Sequence, residues 1–173
     1  MQILSKQGFF GGEVSGKLGF CEACVKGKQR RVSFSTGRYT SKEILEYVHS
    51  DLWGPAPVKS YGGCAYFVTF IDDYSMKVWV YFLKTKDEVF GKFKEWKTMV
   101  EKKTGKVVKT LRTDNGLEFC NAPFDNFCKA EGIVRHHTVR HTPQQNGVAE
   151  RMNQTLTQRA RCMRLFADLP KQF

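Results

Sequence analysis

Lys106-Val107-Val108-Lys109-Thr110-Leu111-Arg112-Thr113-Asp114-Asn115-Gly116 joins an extended run, a carboxylate and a turn. Val, Thr and Leu favour extended chain, so Lys106 to Thr113 is predicted as a strand. It delivers Asp114 at its C-terminal end, and Asn115-Gly116 then turns the chain. Toward the C-terminus, Pro123 to Glu131 reads as a short helix stopped by Gly132, and Ile133 to Thr138 as a further strand. Val139 to Gly147 reads as a loop. A long helix follows from about Asn146 to about Phe166, carrying Arg151, Arg159, Arg161 and Arg164.

Toward the N-terminus, Gly105 closes a helix in which Val89, Phe93, Trp96 and Val100 form one apolar stripe at helical spacing. Thr85 and Glu88 fit a capping box at its start, as N-cap and N3. Ala65 to Ile71 and Lys77 to Lys84 read as two strands of a hairpin turned at Asp72-Asp73-Tyr74-Ser75. Leu45 to Asp51 reads as the first strand, broken by Trp53-Gly54-Pro55. The order strand, strand, strand, helix, strand, helix, strand, helix predicts an α/β fold, a five-stranded mixed sheet flanked by helices.

Residues 1–40 differ in character. They are rich in Gly and basic residues and end in Lys26-Gly27-Lys28-Gln29-Arg30-Arg31, which reads as a small basic module and linker ahead of a main domain at 41–173. Across 173 residues, 28 Lys and Arg stand against 17 Asp and Glu, a net charge of +11. Such a bias points to a polyanionic partner, nucleic acid before an anionic membrane. No apolar run approaches the ~20 residues needed to span a bilayer, and no signal-peptide pattern follows Met1, so the chain is expected to be intracellular. Cys64, Cys120, Cys128 and Cys162 are scattered and are expected to be reduced, small and mostly buried.

Three acids stand where such a fold places chemistry: Asp51 and Asp114 at strand ends, and Glu150 in the opening turns of the long helix. Strand ends at one edge of an α/β sheet are where ligand sites collect. Clustered carboxylates repel, and a divalent cation removes that penalty. Mg²⁺ prefers hard oxygen ligands and takes a few carboxylates together with phosphate oxygens. A cap or a solvated side chain is the plainer reading for any one of the three.

The words around these acids carry more. His49-Ser50-Asp51-Leu52-Trp53-Gly54-Pro55, Arg112-Thr113-Asp114-Asn115-Gly116-Leu117-Glu118-Phe119 and His141-Thr142-Pro143-Gln144-Gln145-Asn146-Gly147-Val148-Ala149-Glu150-Arg151-Met152-Asn153 closely resemble the three catalytic blocks of copia-type retrotransposon integrases. Asp114 and Glu150 are separated by 35 residues (150 − 114 − 1), as in the DD35E pattern of retroviral and retrotransposon integrases. The resemblance covers residues 15 to 173. It implies a ribonuclease-H-like fold, with two Mg²⁺ or Mn²⁺ ions held by Asp51, Asp114 and Glu150. It also implies trimming of element DNA 3′ ends followed by transfer to target DNA, with DNA and further copies of the chain as partners, no membrane, and the nucleus as the compartment.

The resemblance makes His141 to Gly147 an active-site loop touching DNA through Gln144, Gln145 and Asn146. Asn146 as a plain helix N-cap is the alternative. Asn153, three residues after Glu150, could orient that carboxylate or contact DNA. Arg151 and Arg159 could bind phosphate. Lys106, Lys109 and Arg112, on the strand leading to Asp114, could line a DNA channel. His136, His137 and His141 read as phosphate contacts or structural residues rather than metal ligands. Cys21 and Cys24 form half of a zinc knuckle. The two upstream histidines that complete the family's site are absent here, so a full Zn²⁺ site is not expected and residues 1–40 read as a truncated remnant. A catalytically inactive DNA-binding relic is the rival reading of the whole chain, and a stand-alone ribonuclease-H-type nuclease a third.

Overall fold

The computed structural model describes residues 41–138 and 146–173. Within these residues, five strands and three helices follow the expected order: β1 (Tyr47–Trp53), β2 (Tyr66–Asp72), β3 (Val78–Leu83), α1 (Glu88–Thr104), β4 (Thr110–Thr113), α2 (Ala122–Ala130), β5 (Val134–His137) and α3 (Gly147–Phe166). The sheet runs β3-β2-β1-β4-β5. β1, β2 and β3 pair antiparallel, whereas β4 and β5 join parallel to β1 and to each other. The sheet is therefore mixed, with β1 at its centre.

Side chains alternate across a strand, so β1 has two unlike faces. Val48 points with Val68, Phe70 and Leu111 into an apolar core closed by Val89, Phe93, Trp96 and Val100 of α1 and by Phe124 and Cys128 of α2. Every member of the apolar stripe read on α1 is buried there. Trp96 stacks on Phe70 with ring centroids 4.5 Å apart, and Phe93 stacks on Phe124 at 4.9 Å. Asp51 and Thr69 are directly paired across β1 and β2 and point to the other face, which receives α3.

Several boundaries differ from the sequence reading. β1 continues two residues past Asp51, because Leu52 and Trp53 still pair with Val68 and Phe67 of β2. Its parallel pairing with β4 stops at His49 and Arg112. Asp51 therefore lies just beyond the end of the parallel ladder rather than at the end of its strand. β4 is shorter than predicted, beginning at Thr110. No capping box forms at Thr85. Asp87 is the N-cap of α1, without a side-chain cap, and a turn from Lys86 to Val89 starts the helix two residues late. Glu88 instead reaches back to accept from the Lys84 N–H at 3.1 Å. At α2 the cap is Asn121, whose side chain accepts from Phe124 N at 2.9 Å. Among the four described cysteines, all free, only Cys128 is buried, and Cys120 and Cys162 are exposed. No described helix is long and apolar enough to cross a membrane. Cys21, Cys24 and the whole of segment 1–40 lie outside the described residues.

Candidate active site

Each of the three acids comes from a different element. Asp51 is on β1, Asp114 follows β4 by one residue, and Glu150 is in the first turn of α3. The parallel neighbours β1 and β4 bring the two aspartates to the same edge, and α3 crosses β1 and β2 to add the glutamate.

The Asp51 carboxylate is held at both oxygens by amides. Asn146 Nδ2 donates to Oδ1 at 3.1 Å and Asn153 Nδ2 donates to Oδ2 at 2.8 Å. Asn153 Oδ1 in turn accepts from Thr69 Oγ1 at 2.8 Å. Asp114 closes a tight turn, its Oδ1 accepting from Gly116 N at 3.0 Å. A side chain at 116 would meet the Asp114 and Glu118 carboxylates, at 3.0 and 2.7 Å from its Cβ, so the glycine lets both acids fold in close.

Negative charge accumulates here. Burial pushes the Asp51 carboxyl up to about 7; Asp114, Glu150 and Glu118 add to the rise, and the Asn153 hydrogen bond opposes it. The Glu150 carboxyl is also raised, by burial and then by Asp114, with Arg151 pulling the other way. The acids thus sense one another across the site. They do not close into a coordination sphere: among the described residues, no three His, Cys, Asp or Glu side chains converge to hold a metal ion. The donor set is nevertheless all hard oxygen. It suits an ion of the Mg²⁺ kind, which can be held by one or two carboxylates with substrate phosphate supplying the rest.

The predicted DNA contacts divide. Asn146 and Asn153 are 0% and 2% exposed and both engage Asp51, so neither is a surface contact. Asn146 does not cap α3 through its side chain either, because that amide is turned to Asp51. Asn153 orients a carboxylate, as one reading had it, but the carboxylate is Asp51 and not Glu150. Lys109 and Lys106 both pair with Glu43, which takes up part of their charge. Arg112 Nη1 donates to the Tyr47 hydroxyl at 3.0 Å, and that hydroxyl also meets His136 Nδ1 at 3.1 Å. His137 Nδ1 faces Cys120 Sγ at 3.8 Å. Arg151 and Arg159 are exposed, as a phosphate contact requires. Gln144, Gln145 and His141 lie outside the described residues.

Sequence reasoning missed two members of the site. Glu118 stood inside a quoted block, four residues after Asp114, and that spacing was its only signal. Thr69 is the one polar residue in the apolar run Ala65 to Ile71, a break that marked it without saying what it would meet.

Residues 42–143 match the integrase core domain family. The whole chain is 47% identical over 173 residues to the Retrovirus-related Pol polyprotein from transposon TNT 1-94 of Nicotiana tabacum, covering 13% of that polyprotein. It is 33% identical over 159 residues, 92% of this chain and 11% of the other, to the corresponding polyprotein from transposon RE2 of Arabidopsis thaliana. The chain thus spans only a small part of the length of these relatives. Among solved structures, a chain of the simian T-cell lymphotropic virus intasome in complex with PP2A regulatory subunit B56 gamma superposes with a TM-score of 0.63 at 20% identity, over 87% of this chain and 51% of that one. That likeness shows a ribonuclease-H-like fold, in agreement with the sheet order. From the family match and the polyprotein relatives together, the chain belongs to the integrase core domain family, in the branch carried by retrotransposon polyproteins.

Proposed function

We propose that this chain is a divalent-metal-dependent polynucleotidyl transferase that trims the 3′ ends of element DNA and joins them to target DNA, with Asp51, Asp114 and Glu150 as its catalytic acids. The observation that carries the reading is the cluster itself: a partly buried aspartate, pushed up to about 7, held by two amides and flanked by Asp114 and Glu150. Such an arrangement is unfavourable until a cation arrives, and the family's activity is polynucleotidyl transfer.

The residues that would hold Mg²⁺ or Mn²⁺ are these three acids. When bound, such ions stabilise the attacking and leaving oxygens of an in-line displacement at phosphorus. The protein's own part is to place and fix. Asn146 and Asn153 immobilise Asp51, so little reorganisation is left for the moment of reaction. The Gly116 N–H holds Asp114 in its turn. The exposed guanidiniums of Arg151 and Arg159 lie on the helix that carries Glu150 and can bind the DNA backbone. In trimming, a water oxygen bonds to phosphorus and a 3′-oxygen leaves with a proton. In joining, the freed 3′-hydroxyl takes the place of water and displaces a 3′-oxygen of the target. No protein side chain is bonded to DNA at any stage. Element ends and target DNA are the proposed substrates, further copies of the chain the proposed partners, and the nucleus the proposed place of action.

The test is Mn²⁺-dependent joining and nicking on a branched DNA, comparing this chain with Asp114→Asn. Activity in the parent alone is expected, with salt-sensitive DNA binding in both. Equal activity in the two would remove Asp114 from the chemistry. Inactivity in both, with DNA binding kept, would favour the non-catalytic relic.

A further inference from the structure

The two amides on Asp51 differ in what stands behind them. Asn146 Oδ1 is buried and has no hydrogen-bond partner among the described residues. Asn153 Oδ1 accepts from Thr69 Oγ1 at 2.8 Å. Thr69 and Asn153 are 0% and 2% exposed, so bulk water does not reach either group. The Thr69 hydroxyl has a second acceptor in reach, the Asp51 backbone oxygen at 3.4 Å, and its single hydrogen favours the shorter bond.

The two ends of an asparagine amide are nearly equal in shape and opposite in hydrogen-bonding sense. Turned over, Asn153 would set Oδ1 against Asp51 Oδ2, acceptor to acceptor. A donor placed behind the carbonyl selects the productive orientation. Thr69 is well placed for this task, because it is paired with Asp51 in the β1–β2 ladder. The sheet therefore fixes the hydroxyl relative to the acid, and α3 has only to bring the amide between them.

We propose that Thr69 is a positioning residue for Asp51: its hydroxyl locks the Asn153 amide with the NH₂ group on Asp51 Oδ2, so that the carboxylate keeps one orientation for cation and substrate. The importance of that orientation rests on the function proposed above; the lock itself does not.

Two readouts separate them. The first is the side-chain amide pair of Asn153 in ¹⁵N–¹H spectra of the metal-free chain, assigned by its loss in Asn153→Ala. The second is DNA joining as a function of Mn²⁺ concentration. In the parent and in Thr69→Ser the amide protons should be protected from exchange, and joining should agree within about threefold. In Thr69→Val, nearly the same shape without the donor, protection should be lost. Joining should then fall, or the Mn²⁺ requirement rise, by about 10–100-fold, the usual effect of removing a group that orients a ligand. Unchanged amide protection and joining in Thr69→Val would overturn the proposal. If that variant does not fold, the parent spectrum decides, since a rapidly exchanging Asn153 amide there is also incompatible with the lock. A protected amide in a parent chain that never joins DNA supports the lock and counts against the proposed function.

Discussion

Replacing Asp114 by Asn should change how stability depends on pH, and the structure gives the sign and the size. In the absence of metal, burial first and Asp114 second push the Asp51 carboxyl from 3.8 up to about 7. A carboxyl whose pKa is higher folded than unfolded binds its proton more tightly in the native chain. Its favourable contribution is therefore complete below about pH 4 and is lost as the pH rises to about 7. Taking 7 − 3.8 = 3.2 at about 1.36 kcal/mol per pH unit gives an upper limit of about 4 kcal/mol. Solvent at the outer face of the carboxyl reduces this, and a loss of roughly 1–3 kcal/mol is expected.

Asp114→Asn removes the second cause and leaves the first. The amide oxygen can still accept from Gly116 N, so the turn survives. The variant should lose less stability over the same interval and exceed the parent at pH 8 by about 1 kcal/mol. Glu150, also raised by Asp114, adds in the same direction. His49 works oppositely: its pKa is lowered, chiefly by burial, so stability is lost as the pH falls below about 6.5. That contribution is common to both proteins and cancels in their difference. The assay is urea unfolding between pH 4.5 and 8.5 with a chelator present, repeated with Mn²⁺, which should stabilise the parent more than the variant. Parallel curves for the two proteins in chelator would refute the idea that these acids repel across the site.

Two further predictions concern the scaffold. Trp96 is fully buried and its indole Nε1 has no partner among the described residues, so Trp96→Phe should stay within about 1 kcal/mol of the parent, the removed polar group offsetting the lost volume; Trp96→Ala should cost about 3–5 kcal/mol, both read by urea unfolding. Gly54 has φ of 131°, and a Cβ there would lie 2.6 Å from the Tyr66 ring and 2.7 Å from the Ala65 carbonyl, so Gly54→Ala should lower the melting temperature by more than 10 °C, measured by circular dichroism.

What could be read from the sequence was whatever local chemistry decides. The β4 end at Thr113 was legible because the Asn-Gly turn follows at once, and the α1 stripe because four buried residues keep a helical period. β1 was ended too early because its continuation past Asp51 depends on pairing with β2, which no local pattern reports. The capping box at Thr85 had the right letters, but the turn from Lys86 to Val89 took its place. The asparagines are the clearest case. On a helix Asn153 reads as a polar surface residue, yet its two partners are a strand residue 84 positions earlier and one 102 positions earlier. Burial of polar atoms in complementary pairs is a property of the finished fold, so Thr69 could be marked as odd but not assigned a role.

The order of the elements along the chain also sets an order of assembly. A polypeptide is made from its N-terminus, and all five strands have been synthesised by His137, before the first residue of α3 exists. The strand pairings among the described residues are all made within the sheet, and none involves α3. Asp51, Asp114 and Thr69 are then already in place, while Glu150 and both amides that restrain Asp51 are still to come. Since α3 and its N-cap residue supply an acid and two restraints together, the third carboxylate does not arrive without them. Its last acid arrives with the groups that steady its first. A nascent chain on the ribosome is thereby kept from presenting a finished acidic centre until α3 has docked.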